Sequence, residues 1–142
     1  MGNGGEGGDA SKNGSQRAGE GSYVIHDHRS KRPHHDLRLE RGGVLKSWAL
    51  PKGMPSSPGE RRLAIMVEDH PLEYGSFEGT IAEGEYGAGE VRIWDRGTYE
   101  EVSWSDEKIE FVLKGGKASG KYALVRFRKA GEGAWLLLRG RG

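Results

Sequence analysis

Two histidines and an aspartate, His28, His34 and Asp36, lie within nine residues of one another. From His34 to Glu40 the polar residues recur at every second position. Because successive side chains of a β-strand point to opposite faces, a strand here would separate two sets of residues. One face carries His34, Asp36, Arg38 and Glu40, and the other carries His35, Leu37 and Leu39. The first face has the residue types to hold a cation, with Arg38 beside it to hold an anion.

The segment Arg29–Pro33 is short enough to connect two strands of a hairpin. In that hairpin His28 and His34 become cross-strand neighbours about 5 Å apart. Two imidazoles and one carboxylate then meet at one end of the fold, in a sulfur-free set that suits Mn²⁺ or another divalent ion and leaves coordination positions open for catalysis. The alternative is that these are ordinary surface side chains. Each residue alone favours that alternative, whereas their joint spacing favours the metal site.

A second group of polar residues surrounds His70. The segment Arg62–Glu68 alternates, which predicts a strand with Leu63, Ile65 and Val67 on a core face. His70, near the end of this strand, could contact a phosphate or act as a general acid, and the Tyr74 hydroxyl could donate to a phosphoryl oxygen. The alternative for His70 is a turn histidine whose ring bonds to a neighbouring carboxylate. Lys52, in the loop after Leu50, can equally be a solvated lysine.

Composition limits the class of protein. The length of 142 residues fits one domain. The first 21 residues are rich in Gly and are predicted to be a disordered tail. The absence of cysteine excludes disulfides and thiolate metal sites. No apolar run approaches the length of a membrane span, so we expect a cytoplasmic protein without a membrane partner. The net charge is +1, but basic residues concentrate in the N-terminal half, which is compatible with an anionic ligand.

The remaining 22–142 segment reads as a series of short strands separated by turn residues. The predicted strands are Ser22–His28, His34–Arg41, Val44–Leu50, Arg62–Glu68, Glu90–Asp95, Lys108–Lys114, Lys121–Arg128 and Trp135–Arg139. Eight such strands predict an all-β fold, a closed or nearly closed antiparallel barrel. The glycines of Glu83–Gly89 are interpreted as a barrel corner rather than a phosphate loop, and most of the four tryptophans as core residues.

Several longer motifs resemble a known family when taken in order. They are Tyr23–His28, Arg32–Glu40, Gly43–Gly53, Val67–Tyr74 and Phe77–Gly97. This chain, from about Ser22 to its C-terminus, is similar to the 3′-phosphoesterase domain of ligase D, the bacterial end-joining DNA ligase.

The resemblance implies a β-barrel phosphoesterase with a surface groove that heals DNA 3′ ends. Members of the family remove a terminal 3′ ribonucleoside from a primer strand, leaving a 3′-phosphate, and then remove that phosphate to expose a 3′-hydroxyl. The implied cofactor is Mn²⁺, with Co²⁺ or Zn²⁺ as other divalent candidates. The implied partners are DNA 3′ ends in non-homologous end joining, near the nucleoid, with a separate DNA ligase or polymerase.

The resemblance also implies roles for individual residues. The metal ligands fall on His28, His34 and Asp36. The catalytic positions fall on Arg38, Glu68, His70 and Tyr74, and the phosphate-binding positions on Arg38, Lys52, Arg62, His70 and Tyr74.

The chain departs from the family pattern beside the predicted site. His26 and Asp27 stand where Gln and Lys are more usual, and His35 stands where an aromatic residue is typical. His26 is in phase with His28 and could compete as a metal ligand. Two other functions stay open at this point: a cupin-like metalloenzyme acting on a small molecule, and a noncatalytic module that binds DNA ends.

Overall fold

Strands dominate the residues that the computed structural model describes, 19–85 and 88–141. The strands are β1 (Glu20–Arg29), β2 (His34–Arg41), β3 (Val44–Leu50), β4 (Arg61–His70), β5 (Gly79–Ile81), β6 (Gly89–Trp104), β7 (Lys108–Gly115), β8 (Gly120–Arg126) and β9 (Ala134–Arg139). Two short 3-10 helices accompany them, η1 (Leu72–Ser76) after β4 and η2 (Arg128–Ala130) after β8.

Eight of the strands in the described part of the chain form a closed antiparallel barrel. The order around it is β1-β2-β3-β4-β9-β8-β7-β6, and pairing of β1 with β6 closes it. The short strand β5 lies outside this barrel and pairs with the first residues of β6. The predicted all-β barrel is therefore confirmed.

The barrel wall separates an apolar interior from a polar outer face on β1 and β2. Leu37 and Leu39 are fully buried in the interior cluster, where Trp48 and Trp135 also pack. The alternate residues Asp36 and Arg38 point to the outer side and are nevertheless almost completely buried. The Tyr74 ring of η1 lies over the Arg38 guanidinium, and His28, His34 and Arg38 lie around the Asp36 carboxylate.

Each predicted strand is present, but two features of the sheet differ from the prediction. The three-residue strand β5 was not predicted, because so short a segment shows no alternation. Strand β6 continues past Asp95 to Trp104, although Gly97 resembles a turn residue. At Gly97 the carbonyl of Lys114 on β7 occupies the space of a side chain, so glycine there serves close strand packing.

The predicted orientation of β4 is wrong. Ala64 belongs to the interior cluster and Met66 packs against it, whereas Val67 lines an outer cavity. The register pairs Ala64 with Trp135 and Met66 with Trp48, which sets the inward parity. Both parities of this strand are apolar between Leu63 and Val67, so alternation alone could not select the face.

The predicted boundary between the N-terminal tail and the domain lies close to the first described residue, 19. Most of the predicted tail, residues 1–21, lies outside the described residues, as do Tyr86 and Gly87 of the predicted corner. Glu20 and Gly21 already pair with β6 as part of β1. Among the described residues, no helix has the length and apolar character needed to cross a membrane.

Candidate metal centre and phosphate pocket

The β1–β2 hairpin brings the three predicted metal ligands together. His28 and His34 are directly opposed in its register, and their ring centroids are 4.8 Å apart. The Asp36 carboxylate lies between them, with Oδ1 3.3 Å from His34 Nε2 and Oδ2 3.6 Å from His28 Nδ1. The three ligand atoms lie within 4.8 Å of one another. Two imidazoles and one carboxylate at this separation fit a divalent cation.

The tautomer of His34 is set by the backbone. Its Nδ1 lies 2.8 Å from the carbonyl oxygen of Arg32, which can only accept a hydrogen bond, so Nδ1 carries the proton. The Nε2 atom, directed toward Asp36, is then the atom left to hold a cation. A backbone carbonyl in this position is a usual way of orienting a metal-binding imidazole. A proton on Nε2 would donate to Asp36, and this hydrogen bond of the charged imidazole raises the pKa of His34, against the lowering effect of burial.

The Asp36 carboxyl is held in its charged form. Burial on its own would raise the pKa, but the hydrogen bond with His34 and the charge of Arg38 outweigh it and lower the pKa of Asp36. Arg38 Nη2 lies 3.4 Å from Asp36 Oδ2. Because metal ligands must be deprotonated, this environment prepares Asp36 to bind a cation.

Arg38 is a buried cation whose guanidinium is fixed from several sides, with a relative exposure of 3%. Its Nε donates to His26 Nδ1 at 3.1 Å, and its Nη1 donates to Ser47 Oγ at 2.9 Å. The Tyr74 ring covers it, with the guanidinium carbon 4.9 Å from the ring centroid. A planar donor group held in this way suits the oxygens of a phosphate.

His26 is not one of the grouped ligands, contrary to the expectation that it could compete for the metal. Its Nε2 lies 3.0 Å from the carbonyl oxygen of Phe77, so Nε2 donates and Nδ1 accepts from Arg38. Burial and the charge of Arg38 lower the pKa of His26 to about 4. His26 is therefore a neutral residue that supports Arg38.

His70 and Tyr74 complete the opposite side of this group. On β4, His70 pairs with Leu45 of β3, and the register of the two strands shifts between Leu45 and Ser47. His70 Nδ1 lies 3.2 Å from Arg38 Nη1 and 3.0 Å from the carbonyl oxygen of Glu68. Burial, followed by the charge of Arg38, lowers the pKa of His70. Burial raises the pKa of Tyr74, so its hydroxyl keeps its proton at neutral pH.

A cavity of about 1280 Å³ opens onto these residues. The metal-ligand group, Arg38, His70 and Tyr74 form its polar side, and Ala49, Val67, Ile81 and Ala88 are among its apolar lining. The predicted corner contributes Glu83 and Gly84 to the rim, so it borders the site. Trp48 and Trp135 lie in the interior, with Trp94 and Trp104 packed against it, as predicted.

Three predicted phosphate or catalytic residues do not line this cavity. Lys52 is exposed in the turn after β3, and Glu68 is exposed on β4. Arg62 has the inward parity of Ala64, lies toward one end of the barrel and pairs with Glu60 at 3.5 Å. Their roles stay predictions. Glu40 has the same parity on β2 as Asp36 and Arg38, as expected, and accepts hydrogen bonds from Ser22 further along the hairpin.

Ser47 is a residue of the site that the sequence reasoning missed. It is fully buried, and its Oγ accepts from Arg38. No motif marks it in the sequence, and only the β2–β3 register, which pairs Ser47 with Arg38, places it in the site. His35, the other unusual histidine, points away from the metal-ligand group, packs on Trp94 and accepts from the Met54 backbone N–H.

Known proteins match most of this chain in sequence. The multifunctional non-homologous end joining protein LigD of Mycobacterium bovis is 52% identical over 113 residues, which is 76% of this chain and 15% of that protein. The protein of the same name from Pseudomonas aeruginosa is 45% identical over 123 residues, 82% of this chain and 15% of the relative. The chain thus spans about 15% of the length of these relatives. A model of the DNA ligase D 3′-phosphoesterase domain matches residues 26–126, and this chain belongs to that domain family.

Proposed function

We propose that this chain is a divalent-metal-dependent hydrolase that heals DNA 3′ ends during non-homologous end joining, with Mn²⁺ as the cofactor. The observation that carries the proposal is the convergence of a His28–His34–Asp36 group with Arg38, His70 and Tyr74 in one cavity. Membership of a 3′-phosphoesterase family supports phosphate esters as the reacting group, and the names of the relatives support DNA ends as the substrate.

Two successive hydrolyses are proposed at a strand that ends in one ribonucleotide. In the first, a water oxygen bonds to phosphorus and the bond from phosphorus to O5′ of the terminal ribonucleoside breaks. The ribonucleoside leaves with a proton and the strand keeps a 3′-phosphate. In the second, water adds to that phosphorus and the bond to O3′ breaks, which gives inorganic phosphate and a 3′-hydroxyl.

His28, His34 and Asp36 would hold the cation, which when bound supplies positive charge to the phosphate oxygens and orients water. Arg38 is preorganised by His26, Ser47 and Asp36 to neutralise charge that develops on the non-bridging oxygens. The Tyr74 hydroxyl, protonated at neutral pH, donates a hydrogen bond to the same phosphoryl group.

The protonation state of His70 decides which role it can take. Burial, followed by the charge of Arg38, lowers the pKa of His70, which favours its neutral form. A neutral imidazole accepts a proton from water more readily than it protonates a leaving oxygen. We therefore assign His70 to accepting a proton or a hydrogen bond, rather than to stabilising the transition state as an imidazolium.

The test is product analysis on a 5′-labelled primer-template that ends in one 3′ ribonucleotide, with Mn²⁺ or with a chelator. We expect metal-dependent shortening to a 3′-phosphate and then a 3′-hydroxyl. Asp36→Asn should lose both products, by at least about 100-fold in rate, because it removes a ligand charge. Asp69→Asn is the matched control, since Asp69 is an exposed carboxylate that pairs with Lys46 outside the cavity.

The contrary outcomes select among the remaining functions. Retained DNA binding without cleavage under any divalent cation would identify a noncatalytic end-binding module. Cleavage that persists with a chelator, or in Asp36→Asn, would exclude the proposed metal role.

A further inference from the structure

The turn between β1 and β2 carries three basic side chains at the mouth of the cavity. Arg29 ends β1, and Lys31 and Arg32 follow in the turn; all three are exposed and all three line the cavity. The flanking residues are the metal-ligand candidates His28 and His34. The basic turn is thus joined directly to both ends of the metal-ligand group.

Internal hydrogen bonds fix the conformation of this turn. Ser30 Oγ donates to the Arg32 carbonyl at 3.0 Å and accepts from the Arg32 backbone N–H at 3.2 Å. The same carbonyl accepts from His34 Nδ1. The backbone that presents Lys31 and Arg32 is therefore held in place by the imidazole that faces Asp36.

The charges of this turn are largely available to a ligand. Among the described residues, the Lys31 and Arg32 side chains form no ion pair or hydrogen bond, and Arg29 pairs only with Asp27, at 3.3 Å, in an exposed position. Many other exposed basic residues of this chain are paired with carboxylates, for example Arg92 with Glu90 and Arg128 with Glu107.

The β5–β6 connection on the rim carries the opposite charge. It contributes Glu83 to the cavity lining together with uncharged residues. A polyanion that enters this cavity is attracted to the β1–β2 turn and repelled by Glu83. The asymmetry favours the side of the cavity next to the β1–β2 turn as the path of a bound polyanion.

We infer that the β1–β2 turn binds backbone phosphates on the 5′ side of the reacting phosphate, so that the DNA strand leaves the cavity over Lys31 and Arg32. This inference rests on the proposed function, which places the 3′ end beside Arg38. Contacts of exposed Lys and Arg to phosphates position a strand without reading its sequence. Their contribution to affinity is released as counterions and depends strongly on salt.

The test compares the double variant Lys31→Gln/Arg32→Gln with Lys121→Gln/Lys129→Gln. Both remove two positive charges, but Lys121 and Lys129 are exposed residues away from the cavity. Dissociation constants are measured for a primer-template with a 3′-hydroxyl, the unreactive product, across a series of salt concentrations. The slope of log Kd against log salt should decrease by about 1.8 in the turn variant, because each of the two lost phosphate contacts accounts for about 0.9 of the slope. The control variant should keep the slope of the unmodified chain.

Direction is tested with single strands of increasing length. The ratio of the dissociation constants of the turn variant and the unmodified chain should rise as nucleotides are added 5′ of the terminal position. The single substitution Glu83→Gln should leave the salt slope unreduced.

The outcomes separate this inference from the proposed function. Hydrolysis of the 3′ end together with equal salt slopes in the turn and control variants would overturn the role of the turn alone. A reduced slope in the turn variant, with no hydrolysis under any divalent cation, would support the turn as a DNA contact and overturn the proposed hydrolase.

Discussion

Arg38 is held by neutral partners as well as by a charge. His26 and Ser47 accept its hydrogen bonds, and Asp36, which is shared with the metal-ligand group, lies within 3.4 Å. A guanidinium that is already oriented loses little side-chain entropy when it binds a phosphate. This orientation requires His26 to stay neutral and buried, because only a neutral imidazole can accept the hydrogen bond from Arg38.

Substitutions of His26 test this positioning role. In His26→Asn the amide oxygen can replace Nδ1 as acceptor for Arg38, whereas in His26→Gln the amide nitrogen replaces Nε2 as donor to Phe77. We expect His26→Ala to lower kcat about 100-fold through misplacement of Arg38, and His26→Asn and His26→Gln each to recover part of the activity.

The measurement is kcat and KM on a 3′-phosphate substrate, with thermal midpoints to follow folding. Equal kcat losses in all three variants would show that the contact with Arg38 is not what His26 supplies.

At this scale the sequence predicted that His28, His34 and Asp36 converge, and it predicted part of the group around Arg38. The alternation of β2 was sufficient for His34, Asp36 and Arg38 because that strand is polar on one face and apolar on the other. Ser47 was missed because a single serine gives no signal without the register. Arg62 could not be placed, since the parity of β4 depends on its pairing with β9.

The β1–β2 hairpin and the closing strand β6 approach each other closely at Gly89. This residue pairs with Ile81 of β5, and its φ of +126° lies in a region that L-residues rarely adopt. A side chain there would begin 2.5 Å from the carbonyl oxygen of Arg29, at the end of β1. Glycine at this position therefore permits β6 to approach the turn that flanks His28.

Gly89→Ala should destabilise the fold by about 1–3 kcal/mol, from the strained φ and the clash with the Arg29 carbonyl. Gly75→Ala is the control, because its new side chain would begin 3.7 Å from Leu45, an ordinary contact. Urea unfolding of both variants measures the difference. Equal free energies of unfolding for the two would exclude a structural requirement for glycine at position 89.

Closure of the whole barrel is reinforced by one buried carboxylate. Asp95 Oδ2 accepts from the Tyr23 hydroxyl of β1 at 2.7 Å and from the Ala118 N–H at 2.8 Å, while Oδ1 accepts from the Gly116 N–H at 3.2 Å. Burial would raise the pKa of Asp95, but the hydrogen bonds from Tyr23 and the backbone outweigh it, so its pKa is lowered. The carboxylate connects β6 to the closing strand and to the β7–β8 turn.

A lowered carboxyl pKa in the folded state stabilises the protein above the unfolded pKa, and that stabilisation is lost as pH falls through the folded value. Asp95→Asn should therefore reduce the free energy of unfolding at pH 7 by about 1–3 kcal/mol and flatten its decline below about pH 4. Chemical denaturation from pH 7 to pH 2 checks both effects. A variant with the same pH dependence as the unmodified chain would contradict the assigned role of Asp95.

The overall fold was predictable because each of the eight barrel strands has its own turn signals, and closure is the common way to remove exposed edges. The pairing of β1 with β6 was not predictable in detail, because its register shifts between Ile25 and His26. The exterior strand β5 depends on β6 for all its pairing and therefore has too little sequence of its own to be recognised.

The two halves of the candidate site differ in how far apart their residues lie along the chain. All three metal-ligand residues belong to one hairpin, His28 to Asp36, whereas Arg38 meets His70 and Tyr74 only after β3 and β4 have been added. Local contacts close smaller loops and form at lower entropic cost than distant ones. The metal-ligand group can therefore assemble early during folding, and the group around Arg38 becomes complete only when η1 docks on the barrel.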